Sequence, residues 1–80
     1  MNMKFSTSAQ RQRLLNRLQQ EPIDTISARR DLNIMMPAAR IRELRDEGHY
    51  IKTSLISCCD DRGRRHQKIA LYSLAEVEAS

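Results

Sequence analysis

The sequence predicts an α+β domain, three helices followed by a β-hairpin. Three observations lead there. Leucine, isoleucine and alanine recur at helical spacing through residues 9–47, with interruptions at Glu21-Pro22 and around Asn33. After Gly48 the pattern becomes strand-like, rich in Tyr, Ile, Thr and Ser. A polar run with one glycine, Asp60-Asp61-Arg62-Gly63-Arg64-Arg65, then divides that half into two strands joined by a turn.

The first helix is expected to begin near Thr7. There, Thr7-Ser8-Ala9-Gln10 fits a capping box, in which a hydroxyl accepts from an exposed N–H and the glutamine reaches back. Ala9 to Gln20 is rich in helix formers, and Leu14, Leu15 and Leu18 make its apolar stripe. Arg11, Arg13 and Arg17 lie mostly off that stripe. Glu21-Pro22 ends the helix, because a residue before proline avoids helical geometry. Ile23-Asp24-Thr25 is a short connection with extended character, and Thr25 is placed to cap a second helix, Ile26 to Leu32. Ile26, Leu32 and the Arg29 stem supply its apolar contacts, with Ala28 for close packing. Asn33 tolerates the left-handed conformation that ends helices, and Ile34 returns to the core.

Pro37 opens the third helix, since its missing N–H is not needed in the first turn. This helix runs to Glu47, with Gly48 as its C-terminal cap. Ala38, Ile41 and Leu44 are expected on its inner face, and Ala39, Arg40, Arg42 and Glu43 on or beside the outer one. The strands are expected at Tyr50–Cys59 and Gln67–Leu74, with Ile69 and Leu71 alternating against Lys68, Ala70 and Tyr72. Tyr50 and Tyr72 are expected to pack on the sheet face. Residues 1–6 read as a disordered segment, 7–74 as the domain, and 75–80 as a short tail in which Ser73 and Glu76 offer a further capping box.

Composition narrows the function. Eighty residues make one domain with a thin core. Lys and Arg number 14 against 10 Asp and Glu, and 11 of the 14 are arginine. Guanidinium groups bind phosphate and guanine edges in bidentate fashion. No segment has the roughly 20 apolar residues that span a bilayer, and Met1 to Ser6 has no signal-peptide core, so a cytoplasmic protein with no membrane partner is expected. Cys58 and Cys59 are neighbours, which implies no disulfide framework. With His49 and His66 they match no common zinc spacing, so neither metal nor cofactor is expected. No nucleophile–base pair, carboxylate pair or glycine-rich phosphate loop stands out, and no enzymatic activity is expected.

Helix, helix, tight turn, helix, hairpin is the order of a helix-turn-helix followed by a wing. The third helix, 37–47, would enter the major groove of double-stranded DNA. Ala38 and Ala39 would allow close approach, and Arg40 and Arg42 would meet base edges or phosphates. Around Gly63, the wing 60–68 gathers Arg62, Arg64, Arg65, His66 and Lys68, a basic tip suited to the DNA backbone or minor groove. Asp60 and Asp61 offset part of its field. Arg29 and Arg30 are candidates for phosphate contacts from the second helix, with a plain surface role as the alternative. Arg45, near the buried edge, reads as structural.

The stretch Leu32 to Ile51, with its run Pro37-Ala38-Ala39-Arg40-Ile41-Arg42-Glu43-Leu44-Arg45 and then Gly48, resembles a phage-borne helix-turn-helix DNA-binding family. Pro37, Ala39, Arg40, Ile41, Leu44, Arg45 and Gly48 carry the family pattern. Met36 stands at the cap position, where a polar residue is the rule. The resemblance implies a winged helix-turn-helix fold and a phage or prophage DNA-binding role, chiefly transcriptional regulation. It adds Pro37 and Ala39 to the DNA-binding set. Two alternatives stand beside it: an excisionase-like architectural factor, and a winged-helix protein-interaction module that binds no DNA. A homodimer and a phage or host protein partner are compatible with either.

Overall fold

Ser6, one residue before the expected cap, opens the first helix in the computed structural model, which describes residues 6–75. Its backbone is extended, and its hydroxyl accepts from Ala9 N at 3.0 Å. Thr7 is therefore the first helical residue rather than the cap, and α1 spans Thr7–Leu18, two residues short of the expected end. The same shift recurs at the second helix. Ile23–Asp24 forms a short strand, β1, which holds Asp24 extended, and Asp24 rather than Thr25 caps α2, Thr25–Asp31, by accepting from Ser27 N at 2.8 Å. Asn33 takes the left-handed conformation, φ 56°, and turns the chain into α3, Pro37–Asp46. Met36 caps α3 without any side-chain hydrogen bond. Gly48, at φ 103°, reverses the chain after α3.

The hairpin strands are β2, Ile51–Cys59, and β3, Arg65–Leu74. With β1 they form an antiparallel sheet in the order β1-β3-β2. Winged helix-turn-helix architecture is thus complete: three helices and a small antiparallel sheet, an α+β fold.

One core joins the layers. Leu14 and Leu18 of α1, Ala28 of α2, Ile34 of the turn, and Ile41 and Leu44 of α3 pack against Ile23, Ile51 and Tyr72 of the sheet. None of the described buried side chains is polar or charged. A buried leucine or isoleucine contributes about 1.5–3 kcal/mol through the water it escapes, and this cluster is the main stabilising element.

The structure departs from the sequence expectation at several positions. Pro37, not Ala38, completes the inner stripe with Ile41 and Leu44, because 37, 41 and 44 keep the i, i+4, i+7 spacing and Ala38 lies a third of a turn away. Ile26 is only half-buried and Arg29 is exposed, so Ala28 alone anchors α2 deeply. Tyr50 is exposed, because Ile51 takes the core position and the preceding residue points the other way. In β3, Tyr72 packs into the core as expected, with Ala70 and Leu74 beside it, while Ile69 and Leu71 lie on the alternate face. A bulge precedes this stretch: Ile56 pairs with Ile69 but Cys58 with His66, which leaves Gln67 and Lys68 opposite Ser57. Lys68 absorbs the irregularity at φ 57°. Ser73 lies inside β3, and the expected tail box with Glu76 falls outside the described residues. Of residues 1–6, expected to be disordered, Ser6 instead caps α1, and the other five also fall outside the described residues.

Candidate nucleic-acid interface

Both flanks of α3 are tied to its neighbours. Toward α1, Arg40 Nη2 donates to Glu43 Oε2 at 3.0 Å, while Arg11 reaches Glu43 Oε1 and Glu47 Oε2, each at 3.0 Å. The Arg40 side chain is only 13% exposed, packed in this seam. Toward the sheet, Arg45 donates to the carbonyl of Ile51 from Nε at 3.0 Å and Nη2 at 2.6 Å, and to Thr53 Oγ1 at 2.8 Å. Arg45 is therefore a bracket between α3 and the start of β2. The stripe left outward between these flanks holds Ala38, half-buried Ala39, Arg42 and Asp46. Arg42 is exposed and makes no hydrogen bond or ion pair among the described residues.

Arginines of two other helices shape the turn before α3. Arg13 Nε of α1 donates to Leu32 O at 3.0 Å, and Arg29 Nε of α2 donates to Met35 O at 3.2 Å. These carbonyls lie past the end of α2, where no helical N–H reaches them. Arg29 is exposed, and its terminal nitrogens have no partner among the described residues. Met35 and Met36 stand exposed at this corner, directly ahead of α3.

The wing tip is built on Asp60. Its Oδ1 accepts from the backbone N–H of Arg62 and of Arg64, both at 2.9 Å, and His66 Nε2 lies 2.9 Å from its Oδ2. The pairing with His66, then the N–H groups of Arg64 and Arg62, hold the Asp60 carboxyl below the usual carboxylate range. Gly63, at φ 77°, donates to Asp60 O and closes the turn. Because Asp60 serves the turn, the side chains of Arg62, Arg64 and Arg65 remain exposed, with no partner among the described residues. Exposed Lys68 joins them from the bulge.

The ten residues expected to meet DNA therefore fall into groups. Arg42, Arg62, Arg64, Arg65 and Lys68 are open to a ligand, and Arg29 is partly so. Ala39 borders the outward stripe of α3. Arg40 faces the α1 seam. Pro37 is buried in the core at the first helical position, so its side chain cannot touch DNA. Arg30 is held by carboxylates, at 2.8 Å from Asp31 Oδ1 and 2.9 Å from Asp61 Oδ1. These two contacts raise the Arg30 pKa still further above its ordinary value.

Sequence reasoning missed Lys52, an exposed cation on β2 whose outward position follows from strand alternation after Ile51. It placed Asp60 in the turn but gave its side chain no part beyond offsetting charge, although Asp followed three residues later by Gly is a type I turn signature.

The cysteines are free thiols. Desolvation first, and then the Asp24 carboxylate 3.8 Å away, push the Cys58 thiol up, so it remains protonated. Among the described residues no group of three His, Cys, Asp or Glu could hold a metal ion, and no helix is long and apolar enough to cross a membrane.

A family model described as a winged helix-turn-helix domain matches residues 9–77, nearly the whole chain. Neither the search of curated proteins nor that of solved structures finds a match.

Proposed function

The chain belongs to the winged helix-turn-helix family, and from that premise we propose that it binds double-stranded DNA, with α3 in the major groove and the basic wing on the backbone or minor groove. The observation that carries this reading is the sorting of arginines on α3. Arg40 and Arg45 are consumed by the fold, and Arg42 is left outward beside small Ala38 and Ala39. A helix shaped for solvent alone has no need of a small-residue approach face with one open guanidinium. The unpaired wing cations supply the second contact. In this assignment Arg42 reads a base edge, Arg62, Arg64, Arg65 and Lys68 hold phosphates, and Arg29 adds a phosphate contact through its terminal nitrogens.

We further assign the protein to transcriptional regulation in a phage or prophage setting. The support for that finer role is the Pro37 to Gly48 run and its family resemblance.

Selection of bound duplexes from a randomised pool tests the assignment. The parent protein is expected to enrich a motif. Arg42→Ala should erase preference at one or two positions, at a cost of about 1–3 kcal/mol on the best site. Arg64→Ala should weaken all sequences alike and keep the motif. Enrichment of no motif by the parent protein, or an unchanged motif with Arg42→Ala, would refute base reading by this helix.

A further inference from the structure

Arg30 and Asp61 lie 31 positions apart and meet across a cleft between α2 and the wing tip. The cleft, about 210 Å³, is lined by Ile26, Arg30, Asp60, Asp61, Arg62 and Arg64. Three guanidinium-bearing side chains and two carboxylates thus border one space. The carboxylates are not equivalent. Asp60 is committed to the turn through two backbone N–H groups and His66. Asp61 does nothing for the turn, and among the described residues its carboxylate has a single partner, Arg30, at 2.9 Å. Its side chain is 66% exposed, as befits a contact that can open.

A carboxylate on a guanidinium fork has the charge and oxygen geometry of a phosphodiester on the same fork. Resting on the DNA-binding reading above, we propose that the α2–wing cleft is a seat for a DNA backbone phosphate, and that Asp61 occupies the Arg30 side of that seat until the duplex displaces it. When the phosphate enters, Arg30 exchanges Asp61 for a phosphate oxygen, and Arg62 and Arg64 close on it from the wing. Asp31 and Ser27 keep Arg30 aimed throughout, through Nε to Asp31 Oδ1 at 2.8 Å and Nη2 to Ser27 Oγ at 3.4 Å. The acidic residue at the tip of a basic wing then acts as an internal brake on binding. It weakens non-specific attachment and ties the wing to α2 when no duplex is present.

The test is a double-mutant cycle read by anisotropy of a labelled duplex. Asp61→Asn keeps the shape and removes the competing charge. It is expected to tighten binding about three- to fivefold, the scale of one exposed ion pair. It should also steepen the dependence of log affinity on log salt by about 0.9, one more phosphate neutralised. Glu21→Gln removes an equal charge outside the cleft and reports the general electrostatic gain. In an Arg30→Ala background, Asp61→Asn should gain no more than Glu21→Gln does. Inorganic phosphate replacing chloride at equal ionic strength should leave the Asp61→Asn gain intact, since the seat takes phosphate held in a duplex.

Four results would overturn the proposal: weaker or unchanged binding by Asp61→Asn, a gain matched by Glu21→Gln in the parent background, a gain that survives Arg30→Ala, or a gain abolished by inorganic phosphate. In all four the duplex still binds the parent protein, and the DNA reading stands. Only failure of the parent to bind any duplex removes both.

Discussion

Asp60 joins charge to shape at the level of a single residue. Its folded carboxyl sits below the usual range, so its stabilising contribution is fully present above the ordinary carboxylate pKa and is lost as pH falls through the lower folded value. Acidification below about pH 4 should therefore loosen the wing before the helices, given the ordinary aspartate pKa. An acid titration followed by amide NMR checks this: the Arg62 and Arg64 amides should shift together in that window, and Asp60→Ala should abolish the step. Arg40 and Arg42 illustrate a different residue-scale lesson. A helical wheel places both off the apolar stripe, and the sequence does not say which flank α1 will cover. The Arg11–Glu43–Arg40 chain decides it. Arg40→Ala should accordingly cost about 1 kcal/mol of stability, through lost packing and pairing, with little change in sequence preference. Urea denaturation and duplex selection on the same variant separate the two effects.

Single elements begin and end where neighbouring elements let them. Both helix caps fall one residue earlier than the sequence suggests, and each site offers two cap-competent residues in a row, Ser6-Thr7 and Asp24-Thr25. Asp24 takes the cap because its backbone is already extended by pairing with Leu71, a partner 47 positions away. Local propensity carries no trace of that pairing. Asp24→Ala should cost about 1 kcal/mol by loss of the α2 cap, measurable as a lower urea midpoint at unchanged slope. The β3 bulge was hidden for a related reason. The run from Gln67 to Tyr72 reads as one uninterrupted strand, and the slip before Ile69 shows only in the register with β2 and in Lys68 at φ 57°. An L-residue there costs on the order of 1–2 kcal/mol that glycine avoids. Lys68→Gly should raise the melting temperature while weakening duplex binding. A simple surface lysine would show neither change.

Across the whole molecule, the order of elements was legible because Pro22, Asn33, Pro37, Gly48 and Gly63 punctuate it, with Asn33, Gly48 and Gly63 at positive φ and Pro37 in the first turn of α3. The core was legible wherever apolar spacing was helical, as with Leu14, Leu18, Ile41 and Leu44. Traffic of polar side chains between elements was not, since Arg11, Arg13, Arg30 and Arg45 find partners 6 to 32 positions away. Those ties leave a defined subset of cations facing outward, and that subset is the basis of the functional reading. A small domain with one core also has little stability in reserve. Ile41→Ala should cost about 2–5 kcal/mol, a large part of the 5–15 kcal/mol typical of a folded domain. Its duplex binding should fall with its folded fraction and recover at low temperature.

The most direct test of the central claim is anisotropy of a labelled duplex at two salt concentrations, with Arg42→Ala and the paired change Arg62→Ala, Arg64→Ala alongside. The account requires micromolar or tighter binding that weakens steeply with salt, a shallower salt slope for the wing variant, and weaker binding by Arg42→Ala with folding intact. No binding by the folded parent at low salt, or binding indifferent to all three arginines, would contradict it.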